Sequence, residues 1–95
     1  MDELIKDLEQ SEQISFPVTF NLKIIMDATI PEEQNIKNIE EVLDDLEIPK
    51  KSMGKRLSSS GRYMSFTYEV MIREHPILKA LYKNLKSLPG IKFAV

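Results

Sequence analysis

The sequence predicts an α+β domain in which strands and helices follow one another as β-α-β-β-α-β. Segments with an apolar residue at every second position alternate with segments whose apolar residues recur every three or four positions, and Pro or Gly marks most boundaries. The clearest strand directly follows the clearest turn, Ser58 to Gly61. Its even positions are all apolar: Met64, Phe66, Tyr68, Val70 and Ile72. We expect this strand to lie at the centre of the core.

The composition indicates one domain with one modest core. The chain has 95 residues, of which 42% are hydrophobic and 29% charged, and it lacks cysteine, which excludes disulfides, thiol nucleophiles and cysteine-ligated zinc. We expect a short acidic helical arm over residues 1–13 and a single domain over residues 14–95. No apolar run approaches the roughly 18 residues of a membrane span, and the N-terminus lacks a basic flank, so we expect a cytoplasmic protein without a membrane partner.

The first strand follows Phe16-Pro17. Its core face is expected to carry the apolar residues at alternate positions: Val18, Phe20, Leu22, Ile24 and Met26. The residues between them, including Asn21 and Lys23, then lie on the opposite face of the sheet. The apolar period next changes to that of a helix, which we expect to start between residues 31 and 34 and to end before Pro49.

The second half of the chain is predicted as a hairpin, a helix and a last strand. Residues 49–57 are expected to form a basic connector that runs into a short, twisted strand. This strand turns back at Ser58 to Gly61, where the glycine supplies the positive φ that hairpin turns need. The second helix begins at Pro76 and ends before Pro89-Gly90. In the last strand, apolar residues alternate with Lys and Ala over residues 91–95.

This order is the split βαβ pattern of ferredoxin-like domains. Right-handed crossovers place both helices on one face of a four-stranded antiparallel sheet in the order 4-1-3-2. Strands one and three are the most apolar and occupy the centre, while the short strands two and four form the edges. We expect strands one and three to be parallel neighbours, with Phe20, Leu22, Phe66 and Tyr68 in one core under both helices.

Charge is distributed unevenly along the chain. Residues 1–48 carry 13 acidic residues and three lysines, a net charge of −10, whereas residues 49–95 carry two acidic and ten basic residues, a net charge of +8. Acidic residues in the last turn of the first helix oppose its dipole and predict a basic neighbour. The asymmetry reflects either complementarity between packed elements or a basic surface for an anionic partner.

Motifs for catalysis are weak, and we expect a protein that is not an enzyme and has no metal or cofactor. His75 lies at a helix start, and the sequence identifies no nucleophile beside it. The neighbours Asp44 and Asp45 diverge by about 100° on a helix. The run Ser58-Ser59-Ser60-Gly61 lacks the lysine of a phosphate-binding loop and precedes a strand rather than a helix.

The candidate binding site combines the basic hairpin with the sheet face that the helices leave open. Its predicted residues are Lys23, Lys55, Arg56, Ser58, Ser59, Gly61, Arg62 and Tyr63. We favour a regulatory or interaction module that binds a small anionic metabolite or an acidic protein, and we expect a monomer or weak homodimer. The alternative is nucleic acid, because RNA-recognition modules share this topology and stack bases on aromatics of the same face. Residues 61–68 match their signature only faintly, so we consider nucleic acid unlikely.

The chain resembles the YbeD-like family of small bacterial proteins of unknown function over residues 14–95. The resemblance rests on three groups of residues: Phe16-Pro17 with Phe20 and Lys23; Ser58-Ser59, Gly61 and Tyr63 before the third strand; and Leu81-Tyr82 with Leu85. It implies a ferredoxin-like fold similar to the ACT regulatory domains of amino-acid metabolism, with no established catalytic residues.

Overall fold

The elements occur in the predicted order. A computed structural model describes residues 15–95, and the predicted arm over residues 1–13 lies outside this range. The elements are β1 (Val18–Asp27), α1 (Glu32–Asp45), β2 (Lys50–Leu57), β3 (Tyr63–Ile72), α2 (His75–Lys86) and β4 (Ile91–Ala94). The strands form one sheet in the order β2-β3-β1-β4. This is the predicted order 4-1-3-2, so the ferredoxin-like fold is confirmed.

The central strands β1 and β3 run antiparallel, so the prediction of a parallel pair is wrong. Val18 lies opposite Ile72, and Asp27 lies opposite Tyr63. The connections explain the direction. The crossover through α1 returns the chain parallel to β1, and the hairpin between β2 and β3 then reverses it. All three strand pairs are antiparallel, as the overall fold class requires.

The core lies between the two helices and one face of the sheet, called here the helix face. Leu22, Phe66 and Tyr68 are at most 3% exposed, and Phe20 packs half-buried against them. The helices contribute the buried residues Ile39, Val42, Leu43, Leu78, Leu81, Tyr82 and Leu85. The period-two pattern of β1 and β3 therefore assigns their faces correctly.

Helix α1 depends on a neighbouring strand at its C-terminal end. Glu32 and Glu33 in its first turn complement the helix dipole, while its last turn has no basic residue of its own. Lys50 of β2 supplies the missing cation through an ion pair with Asp44. The predicted basic neighbour of this helix end is therefore present.

The short strand β4 does not alternate simply, because its register shifts between Ile25 and Met26 of β1. Ile91 lies opposite Met26 on the helix face, whereas Phe93 lies opposite Ile25 on the other face. The shift is typical of a β-bulge, which places one extra residue in one of two paired strands. It moves an aromatic ring onto the face without helices, called here the open face.

Candidate functional site

Backbone pairing arranges the side chains of the open face in rows across the sheet, because residues directly opposite each other share a face. One row crosses all four strands through Arg56, Ser65, Ile25 and Phe93. In the next row, Lys23 lies opposite Thr67. Basic, hydroxyl and apolar side chains therefore meet near the end of β1.

The open face contains a hollow of about 390 Å³ beside the β2–β3 hairpin. The residues that line it are Lys23, Ile25, Arg56, Leu57, Ser58, Ser59, Tyr63 and Ser65. Five of these belong to the predicted site: Lys23, Arg56, Ser58, Ser59 and Tyr63. The volume lies within the range of about 300–1,000 Å³ that is usual for small-molecule pockets.

Two cations at the hollow have no carboxylate partner in the described part of the chain. Within residues 15–95, the ion pairs are Lys50 with Asp44 and Lys55 with Glu32, so Lys23 and Arg56 remain outside them. A guanidinium presents parallel N–H donors that match a carboxylate or phosphate, and an ammonium adds a compact charge. The hollow can therefore hold an anion without first breaking an ion pair.

The hairpin turn is held by its own serines. The Tyr63 N–H donates to the Ser58 Oγ at 3.1 Å, and the Gly61 N–H donates to the Ser58 backbone oxygen at 3.0 Å. Gly61 has a φ of 74°, as the turn prediction requires. The Ser58 hydroxyl therefore shapes the loop, while Ser59 lines the hollow.

Lys55 and Arg56 lie on opposite faces of β2, although they are neighbours in the chain. Arg56 lies opposite Ser65 on the open face, whereas Lys55 lies opposite Phe66 and pairs with Glu32 of α1. The structure therefore does not bring Lys55 into the hollow.

Gly61 and Arg62 complete the predicted set, and neither lines the hollow. They belong to the loop at its border. There the backbone oxygen of Arg62 accepts a hydrogen bond from the Ala28 N–H at 2.9 Å. This bond ties the hairpin loop to the chain that follows β1.

Tyr63 contributes a half-buried ring at the border of the hollow. The Nζ of Lys92 lies 5.7 Å from the ring centroid, a distance at which a cation is attracted to an aromatic face. The predicted site omits Leu57 of β2 and two residues of the central strands that also line the hollow, Ile25 and Ser65. Both have the same odd parity as Lys23 and Tyr63, so the strand period could have added them.

Hydrogen bonds shift the pKa values of two residues outside the hollow, Asp27 and Tyr68. The backbone N–H and hydroxyl of Thr29 donate to the Asp27 carboxylate at 2.8 and 2.7 Å and lower the pKa of Asp27. The Tyr68 hydroxyl donates to Glu40 Oε2 at 3.1 Å. Burial, this bond and the nearby negative charge raise the pKa of Tyr68 above its usual value.

Residues 15–95 contain neither a metal-binding cluster nor a membrane-spanning helix. In that range, no group of three or more His, Asp or Glu side chains could hold a metal ion. No helix there is long and apolar enough to cross a membrane. The His75 ring lies 6.1 Å from the Phe16 ring, near the start of β1 and thus at the other end of that strand from the hollow.

Comparison with known proteins identifies a family and a similar fold. A family described as "Protein of unknown function (DUF493)", which comprises the YbeD-like proteins, matches residues 11–95. The solution structure of HP0495 from H. pylori is similar with a TM-score of 0.69, 16% identity and coverage of 92% of each chain. No curated protein matches the sequence. At this identity, the structural likeness shows the fold alone.

Proposed function

Because the chain belongs to the DUF493 family of proteins of unknown function, we propose its function from the geometry of the hollow: it is a non-catalytic module that binds a small anionic metabolite. The observation that carries the proposal is the position of Lys23 and Arg56 at one hollow, outside the ion pairs of residues 15–95. Two cations that no carboxylate of the described residues neutralises, beside hydroxyl groups, favour a ligand with a carboxylate or phosphate group.

The remaining lining suggests the rest of the ligand. Ile25 and Tyr63 provide half-buried apolar surface, while Ser59 and Ser65 provide hydroxyl groups. A ligand with one anionic group, a small apolar part and a hydrogen-bonding group fits this mixture. Because most of the hollow is formed by residues of paired strands, its shape is already present before a ligand binds. Regulation follows if a partner protein responds to the occupied state.

A nucleic-acid ligand fits the open face less well. Its central positions on β1 and β3 are Lys23, Ile25, Ser65 and Thr67. None is aromatic, whereas single-stranded RNA is usually bound by stacking bases on aromatics at the centre of such a sheet. The aromatic rings of Tyr63 and Phe93 lie toward one end, on strands separated by β1. The net charge of −2 also disfavours binding to a polyanion.

NMR titration of ¹⁵N-labelled protein tests the proposal. The probes are inorganic phosphate, citrate and glucose 6-phosphate, which vary the anionic group and the number of hydroxyls. We expect at least one probe to shift the amides of Lys23, Arg56, Ser59 and Ser65 together. Lys23→Gln and Arg56→Gln should each weaken that binding by about tenfold, because each removes a charge-assisted hydrogen bond.

The matched control is Lys79→Gln, which removes an exposed lysine from α2 and should leave affinity unchanged. Equal weakening by all three variants would mean that only general charge attracts the probe. A labelled single-stranded oligonucleotide tests the alternative. Submicromolar binding at about 150 mM salt that disappears in the Lys23→Gln, Arg56→Gln double variant would favour nucleic acid instead.

A further inference from the structure

Strand β2 is an edge strand with both faces open to solvent. It pairs with β3 along one side only. Every residue from Lys51 to Leu57 is exposed, and Met53 and Leu57, at 49% and 52%, are the exposed large hydrophobics of residues 15–95. An edge of this kind presents unpaired N–H and C=O groups that can pair with another strand.

The hairpin shows which backbone groups of β2 are free. The Ser58 N–H donates to the Tyr63 oxygen at 2.8 Å, so Ser58 faces β3. Backbone groups along an antiparallel edge strand point alternately toward and away from their neighbour. Arg56 therefore also faces β3, while the N–H and C=O groups of Lys55 and Leu57 point outward. These two residues offer an incoming strand a first set of hydrogen bonds.

The same pattern resumes beyond a bulge. The register of β2 shifts between Ser52 and Gly54, which makes Met53 the extra residue. On the far side, the Met71 N–H donates to the Pro49 oxygen at 3.1 Å. By alternation from Pro49, Ser52 points its backbone outward as well. The free edge therefore continues on both sides of the bulge.

An apolar groove follows the helix face of this edge. It has a volume of about 260 Å³ and lies between β2 and α1. Ile36 of α1 and Phe66 and Tyr68 of β3 supply its apolar lining. Its two charged residues, Glu40 and Lys55, already have partners in Tyr68 and Glu32. Leu57, opposite Met64, belongs to the helix face by register and also borders the hollow at the edge of the sheet. A strand paired to β2 would direct every second side chain into or beside this groove.

The two faces of β2 differ in charge. Four cations and no acidic residue occur on the strand. Lys50 and Lys55 are drawn to the helix face by Asp44 and Glu32 of α1. Lys51 and Arg56 lie on the open face, opposite Glu69 and Ser65, and form no ion pair within residues 15–95. Lysine often protects a free edge, but here two of the three lysines are held against the adjoining helix.

We propose that β2 binds an extended segment of a protein partner in which apolar and acidic residues alternate. The apolar side chains occupy the helix face beside Leu57 and the groove, and the acidic ones lie beside Lys51 and Arg56 on the open face. A second copy of this chain fits poorly, because pairing β2 with itself brings Lys51 and Arg56 of both copies close together. The edge backbone carries this interaction, which needs no contact with Lys23, although it shares Arg56 and Leu57 with the lining of the hollow.

Titration of ¹⁵N-labelled protein with a capped seven-residue peptide of alternating Glu and Val tests the proposal. We expect shifts along β2 and slower hydrogen exchange at the amides of Lys55 and Leu57. A peptide with Lys in place of every Glu should bind about tenfold more weakly, because two exposed charge pairs are lost and become repulsive. A third peptide with the Glu and Val residues in separate blocks should also bind more weakly, because it cannot divide them between the faces.

Leu57→Pro tests the role of the edge backbone. Proline removes an N–H that points outward and therefore no hydrogen bond of the sheet. Peptide binding should be lost. The amide resonances of β1, and of the β3 residues whose N–H groups point toward β1, should keep their chemical shifts. Arg56→Gln preserves the backbone and should reduce the preference for the Glu peptide over the Lys peptide. Lys23→Gln should leave peptide binding unchanged, which distinguishes this site from the hollow.

Four results would overturn the proposal. They are equal affinity for the Glu and Lys peptides, binding retained by a folded Leu57→Pro variant, shifts confined to other elements, and no shift at millimolar peptide. Protection of the Lys55 and Leu57 amides that grows with protein concentration alone would show that a second copy occupies the edge, and would replace the partner named here.

Discussion

On the helix face of β3, Phe66 and Tyr68 are each 3% exposed, whereas Ser65 and Thr67 on the open face remain half-buried. The same strand therefore places one set of side chains in a packed interior and the other against solvent. The first set stabilises the fold through burial, and the second can bind a ligand without loss of packing. In this small domain, the covered face determines stability and the open face is available for function.

The largest expected difference between the faces comes from truncating neighbouring residues of β3. Phe66→Ala should lower the free energy of unfolding by about 3–5 kcal/mol, because it leaves a cavity under the helices. Thr67→Ala, which changes the next residue of the strand and lies on the open face, should lower the free energy of unfolding by less than about 1 kcal/mol. Urea unfolding followed by circular dichroism measures both. Similar losses for the two variants would mean that the faces are assigned incorrectly.

A smaller effect is expected at the hydroxyl group of Tyr68, which lies on the covered face. Tyr68→Phe removes the hydrogen bond to Glu40 and should cost about 1 kcal/mol at neutral pH. The folded-state pKa of Tyr68 is raised, so its contribution is fully present below its unfolded pKa of about 10 and is lost as the pH rises beyond that value. The gap in stability between wild type and variant should therefore shrink above about pH 10.

Urea unfolding at a series of pH values from neutral to alkaline measures that gap. Tyr63→Phe is the matched control, because Tyr63 is a half-buried tyrosine on the open face. A change of the same size for Tyr63→Phe would show that the effect does not depend on the hydrogen bond to Glu40. A gap for Tyr68→Phe that stays constant above pH 10 would contradict a raised pKa at that position.

The smallest effect concerns the two faces of β2. Lys55→Gln breaks an exposed ion pair with Glu32 and should cost about 0.2–1 kcal/mol, an effect that high salt reduces. Arg56→Gln breaks no ion pair within residues 15–95 and should leave stability nearly unchanged. Thermal melts at low and high salt compare them. An equal, salt-dependent loss in both variants would show that Arg56 also has a carboxylate partner.

Much of the fold follows from local patterns that tertiary contacts do not override. The apolar period of β1 and β3 assigns their buried faces correctly because a strand turns successive side chains to opposite sides. The hairpin turn could be predicted because Gly61 readily adopts the positive φ that such a turn requires. The antiparallel direction of β1 relative to β3 also follows from the predicted connections. The expectation of a parallel pair was therefore wrong even though the sequence already contained the information needed to avoid it.

The sequence by itself determined the elements, their order and the faces of the central strands, because these depend on periodicity and connection length. Only the tertiary structure decided where the edge strands place their side chains. One register shift moves Phe93 to the open face, and another sets the faces of Lys55 and Arg56. A bulge interrupts the pairing of two strands, and the alternation of apolar residues within one strand does not show where it falls. For that reason the sequence predicted that the second strand lies at an edge, but only the folded sheet showed which of its side chains line the hollow.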